Sequence, residues 1–221
     1  MFTKPTFDNN IYMKVFQILY TGLIANLCFW VAIFPLSVVA LFLAINPGNI
    51  FWFAVSSLWL GSAMISLIAF IDQWIREKDI APVKTYFRSM KSFGIKGFLY
   101  WLIGWSGTMI AIVDMRAFSY ISNGHWTYPF FLVLAFLSIG LSTYSWYFQV
   151  RNPQAQVKAV LMMSFYYLVR KWYFSLINFV LFAVLVVLIF IKPQIGLLIS
   201  PILLTGLIYL NLYQTGRPKS N

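Results

Sequence analysis

Residues 172–213 read WYFSLINFVLFAVLVVLIFIKPQIGLLISPILLTGLIYLNLY, and Lys192 is the one Lys, Arg, Asp or Glu among them. A helix needs about 20 mostly apolar residues to cross the hydrocarbon core of a bilayer, and lipid offers no partners to an unpaired backbone. The stretch therefore predicts a helical hairpin, with one span over Trp172–Ile191, a short turn at Lys192-Pro193-Gln194 and another span over Ile195–Tyr213.

Upstream, the same reading predicts four more spans. The first covers Val15–Ile45 with a kink near Pro35, and the second covers Ile50–Ile71 after the turn-prone Asn46-Pro47-Gly48-Asn49. The third and fourth cover Gly97–Val113 and Tyr128–Phe148, separated by a loop with Asn123-Gly124. The predicted fold class is all-α: a polytopic membrane protein with six transmembrane helices in a single membrane domain, 1–221. Composition agrees, since a 221-residue chain that is 61% hydrophobic and 10% charged has too little polar surface to cover a water-soluble globule. The first apolar run is too long for a signal-peptide core and reads as a retained helix, and neither end carries a lipidation motif.

The formal charge of +11 is spread thinly between apolar runs rather than gathered into a patch, which speaks for orientation and against nucleic acid as a partner. Of the sixteen Lys and Arg, only Arg116 and Lys192 fall on one side of the predicted spans. Basic loops resist translocation, so the other side, with both chain ends, is assigned to the cytoplasm. Trp52, Trp74, Trp101, Trp126, Tyr128, Trp172 and Tyr213 fall near predicted span ends, where amphipathic rings favour the headgroup layer, whereas Trp30, Trp59, Trp105 and Trp146 read as packing residues.

Both cytoplasmic loops predict helices at the interface. Between spans two and three, Val83, Tyr86, Phe87, Met90, Phe93 and Ile95 form an apolar face and Lys84, Arg88 and Lys91 a basic one. Pro82 suits the first turn, and Asp79 places negative charge near the positive end of the helix dipole. This face could hold anionic lipid or a protein partner. The second loop opens with Asn152-Pro153, read as an N-cap followed by proline, and carries Lys158 on a more apolar helix. Ala81, Val83, Lys84 and Lys96 align without gaps with Ala155, Val157, Lys158 and Arg170, which suggests a weak repeat of 50–113 in 128–191.

Groups for chemistry are few: Asp8, Asp72, Glu77, Asp79, Asp114 and the single His125. Asp72 and Asp114 lie at opposite membrane faces, so they form no carboxylate pair, and Asp114 with Arg116 reads as a local ion pair at a helix end. No phosphate loop, zinc spacing or nucleophile elbow is present, and no charged residue falls in the middle of a span. The expectation is no catalytic residue, no cofactor and no metal. Cys28 reads as an inert small hydrophobe. The candidate intramembrane polar contacts are Asn26, Ser57 and Asn178, and Gly61 with Ser57 makes a small-xxx-small pattern for close helix contact.

Asn26-Leu27-Cys28-Phe29-Trp30 followed by Pro35 resembles the opening span of the YesL-like family of small bacterial membrane proteins. Tyr86-Phe87-Arg88-Ser89 with Lys96-Gly97 is similar to that family's Phe-rich basic loop, Asp114 falls where an aspartate ends its third span, and Pro201 fits its last. The Thr-Gly common after the first-span proline is replaced by Leu36-Ser37. The resemblance implies the plasma membrane of a Gram-positive bacterium and a link to carbohydrate uptake. On that basis the expected function is a non-enzymatic accessory or assembly subunit of a carbohydrate importer of the ATP-binding-cassette (ABC) type, with permease subunits as partners. The contact face would be Lys84, Arg88 and Lys91, with Lys158 alongside. The alternative is an independent transporter or channel for a small neutral solute, its path lined by Asn26, the Ser56-Ser57 pair, Asn178 and buried tryptophans. A third reading is a membrane enzyme acting through Asp114 and His125.

Overall fold

A computed structural model describes residues 11–44, 46–78, 80–121, 124–191 and 193–215. The expectations for Asp79, Asn123, Lys192 and the two chain ends lie outside the described residues. Those residues form α1 (Ile11–Ala32), α2 (Phe34–Phe42), α3 (Ile50–Ser56), α4 (Leu60–Glu77), α5 (Pro82–Phe118), α6 (Tyr128–Arg151), α7 (Val157–Arg170), α8 (Trp172–Ile191) and α9 (Pro193–Thr215). Short 3-10 turns at Pro47–Asn49, Ser57–Trp59 and Gly124–Thr127 complete the fold, and no strand occurs among the described residues.

Five segments are long and apolar enough to cross a membrane: Tyr12–Ala32, Ile50–Glu77, Pro82–Phe118, Gly124–Arg151 and Trp172–Ile189. The polarity of the molecule is reversed relative to a soluble globule. Phe16, Leu19, Leu23, Phe42, Leu132, Val180 and Leu207 are exposed, while Ser66, Ser145, Gln149, Ser164, Ser175, Asn178 and Thr205 are fully buried. A continuous apolar exterior around a core with polar side chains suits lipid as solvent.

Three elements differ from the sequence expectation. The first span is not one kinked helix: Pro35 has no N–H to donate and its ring clashes with the preceding turn, so α1 ends at Ala32 and α2 starts afresh with Pro35 in its first turn. Ser37 spans the break, donating its backbone N–H to the Ile33 carbonyl at 3.0 Å and its hydroxyl to the same oxygen at 3.3 Å.

No separate interfacial helix forms over Val83–Ile95. That segment is the opening of the 37-residue α5, which begins with Pro82 as expected and runs unbroken through the third span. Nothing between them stops a helix, and the residues that weaken one, Gly94 and Gly97, sit where α4 packs against α5. At 1.5 Å per residue α5 is about 55 Å long, well beyond the roughly 30 Å of a hydrocarbon core.

In the second loop, α7 starts at Val157 rather than at Asn152. Asn152 instead closes α6: its backbone N–H and its side-chain amide both donate to the Phe148 carbonyl, at 2.9 and 3.3 Å. α7 buries Val160, Ser164 and Leu168, spaced by four, and leaves Met162, Phe165, Tyr166 and Val169 exposed.

Glycines let the long helices touch. A Cβ on Gly61 would stand 2.7 Å from the Gly97 carbonyl oxygen, and one on Gly97 would stand 2.7 Å from that of Gly61. Gly104 and Gly107 receive Ser142 and Ser138 of α6 in the same way. Around these crossings, Trp101 and Trp146 pack with Phe182 at ring separations of 5.6 to 6.3 Å. Trp101 is thus a core residue, 5% exposed, rather than a headgroup anchor, because α5 carries it past the glycine crossing. Trp59 departs the other way: it is 51% exposed, on the outer side of the 3-10 turn.

Candidate functional site at the basic end

The link from α4 to α5 takes only residues 78–81, so α5 opens where α4 closes, and Lys78 ends α4 with φ at 59°, its N–H donating to the Trp74 carbonyl. Lys84, Arg88 and Lys91, four and three residues apart, share one exposed strip of α5 while Thr85, Tyr86 and Ser89 on the opposite strip are buried. Tyr86 donates its hydroxyl to the Ala63 carbonyl at 3.2 Å. The strip is as the periodicity predicts, and its three cations make no hydrogen bond, ion pair or ring contact with other described residues. Lys158 is exposed on α7, while Lys96 donates to the Pro153 carbonyl at 3.1 Å and so joins α5 to the α6–α7 link.

Beside this end lies a cluster that the sequence alone did not reveal. Asp72, whose side chain is 9% exposed, receives Arg76 of its own helix at 2.7 Å and Arg151 at the close of α6 at 3.0 Å. Tyr209 of α9 donates its hydroxyl to the same carboxylate at 2.5 Å. The Arg151 guanidinium also lies over the Tyr213 ring, 5.3 Å from its centroid. One carboxylate thus ties together α4, α6 and α9, and each added hydrogen bond offsets part of the cost of burying its charge. Next to it, Gln149 accepts from Tyr100 at 2.6 Å and donates to the Asn152 and Pro153 carbonyls at 3.2 and 3.1 Å.

The intramembrane candidates fall in three separate interfaces. Asn26 of α1 accepts the backbone N–H of Ile202 at 2.9 Å. Ile202 follows Pro201, whose ring distorts the α9 ladder, and a backbone N–H left unpaired in lipid would cost several kcal/mol. Asn26→Leu should therefore destabilise the protein by about 1–3 kcal/mol, read as a lower melting temperature in detergent, whereas Asn26→Asp, which keeps an acceptor, should lose less. An unchanged melting temperature for Asn26→Leu would remove Asn26 from this role.

Ser57 lies in the 3-10 turn before α4. Its carbonyl accepts the Trp101 indole N–H at 2.9 Å, and its hydroxyl accepts that of Trp105 at 3.0 Å while donating to the Ala54 carbonyl at 2.8 Å. The indoles thus satisfy groups that a regular helix would have paired internally. Asn178 of α8 accepts the side-chain amide of Asn211 on α9 at 2.7 Å, a polar bond between two helices of the kind that holds membrane bundles together. Its own amide nitrogen has no hydrogen-bond partner among the described residues. Of the three, only Ser57 borders a cavity of about 710 Å³ whose walls include Phe53, Trp101, Trp105, Ile139, Phe182 and Arg116.

The chain matches no family model, no curated protein and no solved structure.

The expected Asp114–Arg116 pair does not form: among the described residues the ion pairs are the two on Asp72. Residues two apart on a helix point to different sides, so Asp114 and Arg116 cannot meet without breaking α5. His125 is exposed and packs its ring against Tyr128, with centroids 5.4 Å apart. Among the described residues no three His, Cys, Asp or Glu side chains converge.

Proposed function

We propose that this protein is a non-enzymatic accessory or assembly subunit in the plasma membrane of a Gram-positive bacterium. Six helices cross the bilayer, with both ends in the cytoplasm, and α5 presents its opening strip to a partner. The observation that carries this reading is the strip of Lys84, Arg88 and Lys91: three cations in a row, exposed, with no partner among the described residues, flanked by the exposed apolar side chains of Val83 and Phe87. Charge with apolar surface beside it is the composition of a docking face, where the cations guide orientation and the apolar contacts hold. The YesL-like resemblance supplies the class of partner, the permease subunits of an ABC-type carbohydrate importer.

Replacing Lys84, Arg88 and Lys91 together by Glu should lower the recovery of importer permeases with the solubilised protein about tenfold, while Lys4→Glu should leave it unchanged. Equal losses would return the strip to lipid anchoring, at about 1 kcal/mol per cation. Uptake of a neutral solute by liposomes holding this protein alone would favour the transporter reading instead.

A further inference from the structure

The Asp72 cluster borders a polar cleft of about 550 Å³, and the balance of charge in it is uneven. Arg76 and Arg151 both line the cleft, with Tyr147, Asn152 and Tyr167. Between the two guanidinium groups stands a single carboxylate, which takes one nitrogen from each: Arg76 through Nη2 and Arg151 through Nη1. A guanidinium has five N–H donors in a planar fork, so each keeps donors that Asp72 does not use. The Arg76 side chain is 57% exposed and that of Arg151 is 32% exposed, and neither has a second counter-charge among the described residues. The Tyr167 hydroxyl, at the cleft, makes no hydrogen bond with other described residues.

We propose that this cleft binds a phosphoryl oxyanion, presented by the headgroup of an anionic lipid or as free inorganic phosphate. Two guanidinium forks converging on one polar cleft match the geometry of a phosphate, whose several oxygens accept parallel N–H bonds. Its negative charge supplies the second counter-ion that Asp72 alone does not. The place is also right for a headgroup. The cleft lies where α4 and α6 finish, and α7 brings Tyr167 and the exposed Met163 to its wall. Basic pockets between membrane helices on a cytoplasmic side hold anionic headgroups by the same physics.

The test uses the full chain purified in a neutral detergent, with unfolding followed by tryptophan fluorescence. Phosphatidylglycerol, phosphatidylcholine, and inorganic phosphate against chloride at equal ionic strength are titrated in turn. Phosphatidylglycerol should raise the melting temperature where phosphatidylcholine does not. Arg76→Gln should need about tenfold more of it, the worth of one charge-assisted hydrogen bond, while Lys14→Gln, with the same change of charge at an exposed position of α1, should behave as the parent. Protection by inorganic phosphate but not by phosphatidylglycerol, again lost in Arg76→Gln, would support the same site with the free ion as its ligand. If Arg76→Gln does not fold, Tyr167→Phe leaves the Asp72 pairs intact and should weaken the same protection about fivefold. The proposal is overturned if neither phosphatidylglycerol nor phosphate protects beyond its control. It is overturned equally if Arg76→Gln, or Tyr167→Phe in its place, shifts no further than Lys14→Gln.

Discussion

Replacing Asp72 by Asn should cost about 2–3 kcal/mol, because the substitution keeps the shape of the side chain and removes the charge that two arginines share, while solvent at the partly exposed guanidinium groups softens the loss. Arg151, at the end of α6, would keep its place over the Tyr213 ring but face no anion, and Tyr209 would donate to a neutral carbonyl in place of a carboxylate. In a protein of this size the loss should lower the melting temperature by roughly 4–12 °C. Removing Arg151 as well should restore part of it, since the double variant no longer strands a cation beside the bundle, and the non-additivity measures the coupling. If Asp72→Asn melts like the parent, the cluster contributes nothing to holding α4, α6 and α9 together.

Gly97→Val should be about as damaging through a different cause. The new side chain would enter the α4–α5 crossing, where its Cβ meets the side chain of Ile65 and stands 2.7 Å from the Gly61 carbonyl oxygen. Backbone on one side and core on the other leave little room to yield, because the Gly97 carbonyl also accepts the Trp146 indole at 3.1 Å. Forcing the helices apart should cost about 3 kcal/mol and disturb the Trp101–Trp146–Phe182 packing, read as a shift in tryptophan emission. Gly206 of α9 provides the contrast, since nothing lies within 4 Å of a Cβ placed there. Gly206→Ala should be neutral or gain up to about 1 kcal/mol of helix propensity. Equal effects at the two glycines would deny the crossing its role.

What the sequence made readable is what one helix can encode by itself. The apolar runs stand out because length and the lack of charge are properties of a single segment, and α3–α4, α6, α8 and α9 follow the predicted spans closely. The strip of Lys84, Arg88 and Lys91 was legible for the same reason, being a matter of spacing along one helix. The continuity of α5 was not, because a basic amphipathic stretch followed by an apolar one looks like two helices unless a break is required between them, and none is. The Asp72 cluster lay beyond reach because its partners stand 79 and 137 positions away in the chain. A glance at Asp72 and Arg76, four apart with the acid first, would have given the local half of it. Asn26 carried a usable signal: a proline within a later span frees a backbone group that some polar side chain in the bundle must take, but only the fold says that Asn26 answers Pro201.

A cytoplasmic docking face requires the basic end to face the cytoplasm and the opposite end to face out. Single cysteines introduced at Lys84, Arg88, Ser119 and Trp126, in a chain whose buried Cys28 is replaced by Ser, test this directly with a membrane-impermeant maleimide on intact cells. Labelling should occur at Ser119→Cys and Trp126→Cys at once, and at Lys84→Cys and Arg88→Cys only after the membrane is opened. Labelling of the α5 strip on intact cells, with the other two positions protected, would contradict the orientation and with it a cytoplasmic docking face.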